Sequence, residues 1–238
     1  MVIRRAYGSG DPVTLVVPGL GATAGEARIP ASGLPGTRIV LTLPGHADAP
    51  DPPADYWTYP TLAKVIGQID APQAVGVSLG AAALSALVSA EPDRFDRIVL
   101  MFPAALSRPR TNAHLVEAMA AAVDSGDRAR LRDLLGVLPG AGSYLEDRAD
   151  ALMRLGPALH AVATQVPVPA PETLRQVRAQ VLIIAAKDDP LHPLCVAQEA
   201  AEAFPNSRLE VLPSAYPLVT HRKEIRALLT GFLGDQHQ

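Results

Sequence analysis

Residues 74–83 read Ala74-Val-Gly-Val-Ser-Leu-Gly-Ala-Ala-Ala83. A short apolar run leads into Gly76-Val-Ser-Leu-Gly80, and a small-residue run from Ala81 to Ala90 leads out. This is the pattern of a strand, a sharp turn and a helix, with Ser78 at the apex. Glycine two residues before and two after removes side chains that would collide with the neighbouring strand and helix. Leu79 opens the helix, so its backbone N–H has no partner within the helix and is available near the serine oxygen. Alone, G-x-S-x-G arises by chance in roughly 5–10% of chains of this length. The bland alternative is a Gly-rich turn with serine as a helix cap, so the flanking sequence has to decide.

Outward from the elbow, short strands alternate with helices. Val2–Tyr7 alternates weakly, and Val13–Val17 is a continuous β-branched and apolar run of the kind found in buried central strands. It stops at Pro18-Gly19-Leu20-Gly21. Arg38–Leu43 is the next strand and ends in Pro44-Gly45-His46. A Pro-rich loop, Ala49–Pro60, holds Trp57 between Tyr56 and Tyr59, which reads as loop packing. Thr61–Ile69 has helical spacing, and Arg97–Phe102 is a buried strand. Further strands are expected at Gln180–Ala185 and Arg208–Leu212, with helices at Leu194–Phe204 and His221–Leu233. Residues 105–171 differ in character: amphipathic helices at Asn112–Val123, Asp127–Leu138 and Tyr144–Leu155, and no strand. The expected fold is α/β, a mostly parallel sheet with helices on both faces. Residues 1–104 and 172–238 would form the core, and 105–171 a helical lid. Leu115, Met119, Leu134, Leu135 and Met153 would pack that lid and line a pocket.

Composition narrows the class. The chain has 238 residues, is 48% hydrophobic and carries a net charge of −3. That suits one α/β domain with an ample core and gives no reason to expect a nucleic-acid or membrane partner. The single cysteine, Cys195, excludes an internal disulfide framework. No apolar run approaches the ~20 residues of a membrane span. The start of the chain lacks a signal-peptide core, so a cytoplasmic location is expected. Abundant arginine and alanine suggest a high-GC bacterial source. No cofactor is expected, and no histidine pair has metal-ligand spacing.

This order of elements resembles the α/β-hydrolase superfamily, in its small single-domain serine hydrolase type with a helical lid, and the resemblance spans nearly the whole chain. Tyr7-Gly-Ser-Gly followed by Val13–Gly19, the turn Leu43-Pro-Gly-His46, the elbow at 76–80, Glu91-Pro-Asp-Arg-Phe and Leu182–Pro193 carry it. The resemblance implies Ser78 as nucleophile and the backbone N–H groups of Leu20 and Leu79 as an oxyanion hole. Proline at 18 departs from the family's common histidine before that glycine. The acid is implied at Asp188 or Asp189, just after a buried strand; the aspartate preceding proline, Asp189, is the better match, with Asp188 as a turn or cap carboxylate.

The base is where the chain departs from the pattern. The family's histidine slot after the last strand falls at Tyr216, and the nearest histidine there, His221, is five residues late. Two readings stay open. In one, the loop is repositioned and His221 is the base. In the other, Tyr216 holds the slot; a phenol with pKa near 10 is a poor acceptor of the serine proton, and the fold would bind a ligand or run elimination, cyclisation or proton transfer. His46 matches a structural turn position. His192, three residues after Asp189, reads as exposed loop; His114 and His160 lie in the lid, where His160 could face the pocket, and His237 lies in the tail. The leading expectation is hydrolysis of an ester, lactone or thioester of a fairly apolar small molecule.

Overall fold

The computed structural model describes residues 2–53, 55–137 and 143–234. In chain order its elements are β1 (Ile3–Tyr7), β2 (Val13–Val17), α1 (Ala24–Ala27), β3 (Thr37–Thr42), α2 (Tyr59–Gly67), β4 (Gln73–Val77), α3 (Leu79–Ala90) and β5 (Arg97–Met101). Four helices follow: α4 (Ala113–Asp124), α5 (Arg128–Leu134), α6 (Tyr144–Leu152) and α7 (Gly156–Thr164). The chain then returns through β6 (Gln180–Ala186), α8 (Leu194–Ala203), β7 (Ser207–Leu212), α9 (Pro217–Thr220) and α10 (Arg222–Gly234). The helix expected at 127–138 is shorter, and Leu138 lies outside the described residues. The sequence reading did not single out α7. None of the described helices is long and apolar enough to cross a membrane.

The seven strands form one sheet in the order β1-β3-β2-β4-β5-β6-β7. Only β1 runs antiparallel, pairing Ile3 with Thr42 through Tyr7 with Arg38; every other pair is parallel. The period-2 alternation of strands sends side chains to two cores. Leu15, Ala74, Ile98, Leu100 and Ile183 pack with α2, α3, α8 and the four-helix block. Val16, Val75, Val99, Met101 and Ile184 pack on the other face with α10, through Ile225, Leu229 and Leu233. Helix α3 is buried from Leu79 to Val88, which is why its sequence is alanine and leucine all round rather than striped.

This topology places the site. The connection from β2 goes to β3 on one side, and β4 to β7 add on the other, so the loops after β2 and β4 lie side by side at the carboxyl edge. That is the switch point where open parallel sheets bind ligands. The loops after β5 and β6 end at the same edge.

The helical block is tied down by polar contacts as well as apolar ones. Arg154 donates to the carbonyls of Ala47 and Ala49 at 3.0 and 3.4 Å. Gln165 donates to the Trp57 carbonyl at 2.7 Å and accepts from the Tyr59 N–H. Trp57 and Tyr59 are buried, so this aromatic loop packs between block and core.

Candidate active site

Ser78 sits at φ 52°, ψ −107°, a region that L-residues rarely adopt and that carries roughly 1–3 kcal/mol of strain. The surrounding hydrogen bonds hold it there: the Ser78 N–H donates to the Met101 carbonyl at 2.8 Å, and its carbonyl accepts from Ala82 N–H at 3.0 Å. The flanking glycines are sterically required. A Cβ on Gly80 would lie 2.2 Å from the Val17 carbonyl oxygen, and one on Gly76 would lie 2.5 Å from the Gly80 carbonyl oxygen. Helix α3 therefore starts in direct backbone contact with β2, and this contact puts Ser78 beside the loop after β2.

That loop carries Leu20. Among the described residues, neither the Leu20 N–H nor the Leu79 N–H has a hydrogen-bond partner, whereas the adjacent Gly21 N–H donates to His46 Nε2 at 2.9 Å. The other nitrogen of His46, Nδ1, bonds to the Pro44 carbonyl at 2.9 Å. Nδ1 must be the donor there, which leaves Nε2 free to accept from Gly21. Burial, outweighing the Pro44 hydrogen bond and helped by Arg148 and Arg154, pushes the His46 pKa down to about 4. A neutral His46 thus staples the Leu20–Gly21 turn from behind. The Leu20 carbonyl is held from the other side by Arg148 Nη2 at 3.2 Å. Arg148 is in turn paired with Glu26 at 3.1 Å, and Glu26 also accepts from the Tyr144 hydroxyl at 3.1 Å.

The imidazole at Ser78 belongs to His192. Its Nε2 lies 2.8 Å from Ser78 Oγ and its Nδ1 lies 2.7 Å from Asp189 Oδ2. Asp189 Oδ1 accepts the backbone N–H groups of Leu191 and His192 at 2.8 and 3.3 Å. One carboxylate therefore folds its own turn and orients the ring three residues on, the side-chain capture typical of aspartate in tight turns. Burial alone would raise the Asp189 pKa, but His192 and the two backbone donors outweigh it, and the net shift is downward. An ionised Asp189 can only accept, so His192 carries its proton on Nδ1 and offers the Nε2 lone pair to the Ser78 hydroxyl. Asp188 is exposed and holds the turn at φ 61°.

Two expectations about histidines are corrected here. His221 lies at the end of α9, where its Nδ1 bonds to Thr220 Oγ1 at 2.8 Å; it bonds to neither Ser78 nor Asp189. His192, read from sequence as exposed loop, is largely buried, with its side chain 13% exposed. The available signal was local: the chosen acid is followed at i+3 by a histidine, between two prolines, Pro190 and Pro193, that stiffen the turn. His160 faces outward and pairs with Asp124 at the surface.

Tyr216 lies in the loop after β7, on the wall of a cavity that also reaches Ser78. Its hydroxyl donates to the Leu135 carbonyl at 3.3 Å rather than to Ser78. Burial and the Asp189 charge raise its pKa, so it is a neutral phenol. The imidazole hydrogen-bonded to Ser78 is that of His192, and the Tyr216 phenol makes no bond to Ser78.

Two cavities meet at Ser78 and His192. One runs under α4 and α7 and is lined by Leu79, Val116, Met119, Leu159 and Val162, together with Arg110 and Arg148. The other is bounded by Phe102, Leu135, Tyr144, Tyr216 and Leu218. A hydroxyl, an imidazole and a carboxylate in series, with two unpaired N–H groups beside the hydroxyl, can activate an oxygen nucleophile and stabilise an anion.

The alpha/beta hydrolase family model matches residues 14–227. Solved structures with the same fold include an esterase from Exiguobacterium antarcticum (TM-score 0.81, 18% identity, covering 98% of this chain and 96% of that one). An enol-lactonase from Burkholderia xenovorans LB400 superposes with a TM-score of 0.80 at 18% identity and the same coverage. MGS-M2, an alpha/beta hydrolase enzyme from a Medee basin deep-sea metagenome library, gives 0.80 at 16% identity, covering 100% and 95%. No curated protein sequence matches the chain.

Proposed function

The chain belongs to the alpha/beta hydrolase family, and from that premise we propose that it is a serine hydrolase cleaving an ester, lactone or thioester, with Ser78, His192 and Asp189 as its triad. The observation that carries the proposal is the continuous bond path Ser78 Oγ, His192 Nε2, His192 Nδ1, Asp189 Oδ2, with links of 2.8 and 2.7 Å. In this reading Ser78 Oγ attacks the acyl carbonyl while its proton passes to His192 Nε2. Asp189 stabilises the imidazolium that results. The carbonyl oxygen becomes anionic and takes the Leu20 and Leu79 N–H groups, each worth roughly 3 kcal/mol in the transition state. Collapse expels the alcohol or thiol, which leaves with the proton from His192. Water then attacks the acyl-enzyme by the same route and releases the acid. The helices between 105 and 171 act as a lid, and the two cavities receive the acyl and leaving groups.

The test is covalent labelling by a fluorophosphonate followed by peptide mapping. Modification is expected at Ser78, abolished in Ser78→Ala and strongly slowed in His192→Ala. Labelling that proceeds at an equal rate without His192 overturns the triad assignment.

A further inference from the structure

Two guanidinium groups line the cavity beside Ser78, and they differ in how their charge is met. Arg148 is answered by Glu26, whose two carboxylate oxygens lie 3.1 and 3.4 Å from Nη1. Arg110 has only neutral partners: Nε donates to Asn112 Oδ1 at 3.2 Å and Nη2 to the Leu191 carbonyl at 2.7 Å. Among the described residues, Nη1 has no hydrogen-bond partner and no carboxylate lies within ion-pair distance of Arg110. Its two ionisable neighbours, Tyr59 and Asp189, favour the charge through space but form no ion pair with it. Tyr59 is kept a neutral phenol by burial, with its pKa pushed up to about 12. Asp189 is already committed to His192 and to two backbone donors.

Arg110 is partly buried, lies near but is not paired with the Asp189 carboxylate, and keeps one guanidinium edge without a protein partner, a charge that a substrate anion would meet. Support of the turn at 189–192 does not account for it. Asn112 Nδ2 already ties that turn through the Pro190 carbonyl at 2.7 Å, and a neutral donor would serve Leu191 with a smaller desolvation penalty. Away from Ser78, His192, Tyr59 and the Glu26-paired Arg148, the walls of this cavity are apolar, with Val116, Met119, Leu159 and Val162 among them. A planar cation with a free edge, set among such walls, fits a single delocalised anion at the end of a hydrocarbon segment.

We infer that Arg110 is a subsite for a substrate carboxylate, so that the ester, lactone or thioester hydrolysed at Ser78 also carries a free acid group. This rests on the hydrolase reading above for the reaction, but the recognition itself can be measured without turnover. In a Ser78→Ala background, calorimetry with monomethyl half-esters of the dicarboxylic acids from succinate to suberate is compared with the methyl esters of the corresponding monocarboxylic acids. At the best-fitting chain length the half-ester is expected to bind roughly tenfold or more tightly, the scale of a hydrogen bond to a charged group. Arg110→Gln in the same background should bring the two ligands to parity, and Arg110→Lys should keep part of the preference. The ratio is taken within each protein, so a general weakening cancels, and the Ser78→Ala comparison needs no change at Arg110. Equal binding of both ester classes by Ser78→Ala, or a preference that survives Arg110→Gln, overturns the subsite. Wild-type hydrolysis is assayed on the same compounds: a binding preference without turnover removes the hydrolase reading and leaves the subsite, and turnover of both classes at equal efficiency does the reverse.

Discussion

Acid should loosen this protein through His46. The ring is buried, accepts from the Gly21 N–H and donates to the Pro44 carbonyl, so the native state holds it neutral. Its pKa is ordinarily 6.5 and falls to about 4 in the folded chain. For a depressed pKa the sign is fixed. Above 6.5 neither state is protonated and the full stability is present. Between 6.5 and about 4 the unfolded chain binds a proton that the folded chain refuses, and stability drops with falling pH. Each pH unit in that window is worth about 1.4 kcal/mol, so the loss approaches about 3 kcal/mol before it levels off. Urea unfolding of wild type and His46→Gln at several pH values from 7.5 to 4 isolates the contribution, because other titrating groups act on both proteins. At pH 7.5 the variant should be less stable by about 1–3 kcal/mol, for its lost hydrogen bonds. The wild type should lose that advantage as the pH falls, and the two curves should meet between about pH 6 and pH 4. Parallel curves across the window would refute the buried neutral histidine, and with it the staple behind Leu20.

Four further outcomes are expected. His192→Ala should lower kcat by about four orders of magnitude on any ester the protein turns over, while His221→Ala should leave kcat within about twofold; steady-state kinetics on both variants separates the two histidines. Gly80→Ala forces a Cβ to within 2.2 Å of the Val17 carbonyl oxygen, so helix and strand must part, and chemical denaturation should show a loss of about 2–4 kcal/mol or no soluble protein. Arg148→Met strands the largely buried Glu26, whose side chain is 10% exposed, and should destabilise by about 3–5 kcal/mol; adding Glu26→Gln should recover part of that loss in the same unfolding assay. Tyr216→Phe removes only a 3.3 Å bond to Leu135, so kcat should stay within a few-fold and stability within about 1 kcal/mol; a collapse in kcat would reinstate the phenol as a reacting group.

The scaffold was readable because its signals are backbone signals. Glycine at 76 and 80 is demanded by two close backbone approaches, a β-branched run at 13–17 by burial on both faces of a parallel sheet, and proline–glycine at 44–45 by a turn. Such requirements leave marks at fixed spacing. Ser78, Asp189, Leu20 and Leu79 stand at the ends of those elements, so their place in the fold follows from the backbone pattern. The imidazole does not inherit its position in this way. A histidine can reach Ser78 from any loop at the carboxyl edge of the sheet, and nothing in the backbone pattern says which. Counting from the last strand led to Tyr216 and His221, whereas the ring comes from the loop after β6. Arg110 and Arg148 escaped for a related reason: they lie in the helical block, where the sequence shows only the apolar faces that pack and not which cations those faces carry inward.

Placing acid and histidine on one turn changes what the rest of the fold must hold. When the two come from loops after different strands, their hydrogen bond reports the relative position of those strands and of everything packed on them. Here Asp189 Oδ1 takes the Leu191 and His192 N–H groups while Oδ2 takes the ring, so four residues and one carboxylate define the pair. The loop after β7 is then released from orienting an imidazole. Its Tyr216 instead reaches the Leu135 carbonyl in the helical block, and its Leu218 closes the second cavity beside Ser78. In the proposed reading, the loop after this strand walls the cavity beside Ser78 instead of supplying the base. What remains to be set over a distance is the approach of Ser78 to the turn at 189–192, fixed on one side by the contact of Gly80 with β2 and on the other by the pairing of β5 with β6. Arg110 and Asn112, gripping the Leu191 and Pro190 carbonyls, add a link from the start of the helical block to that same turn.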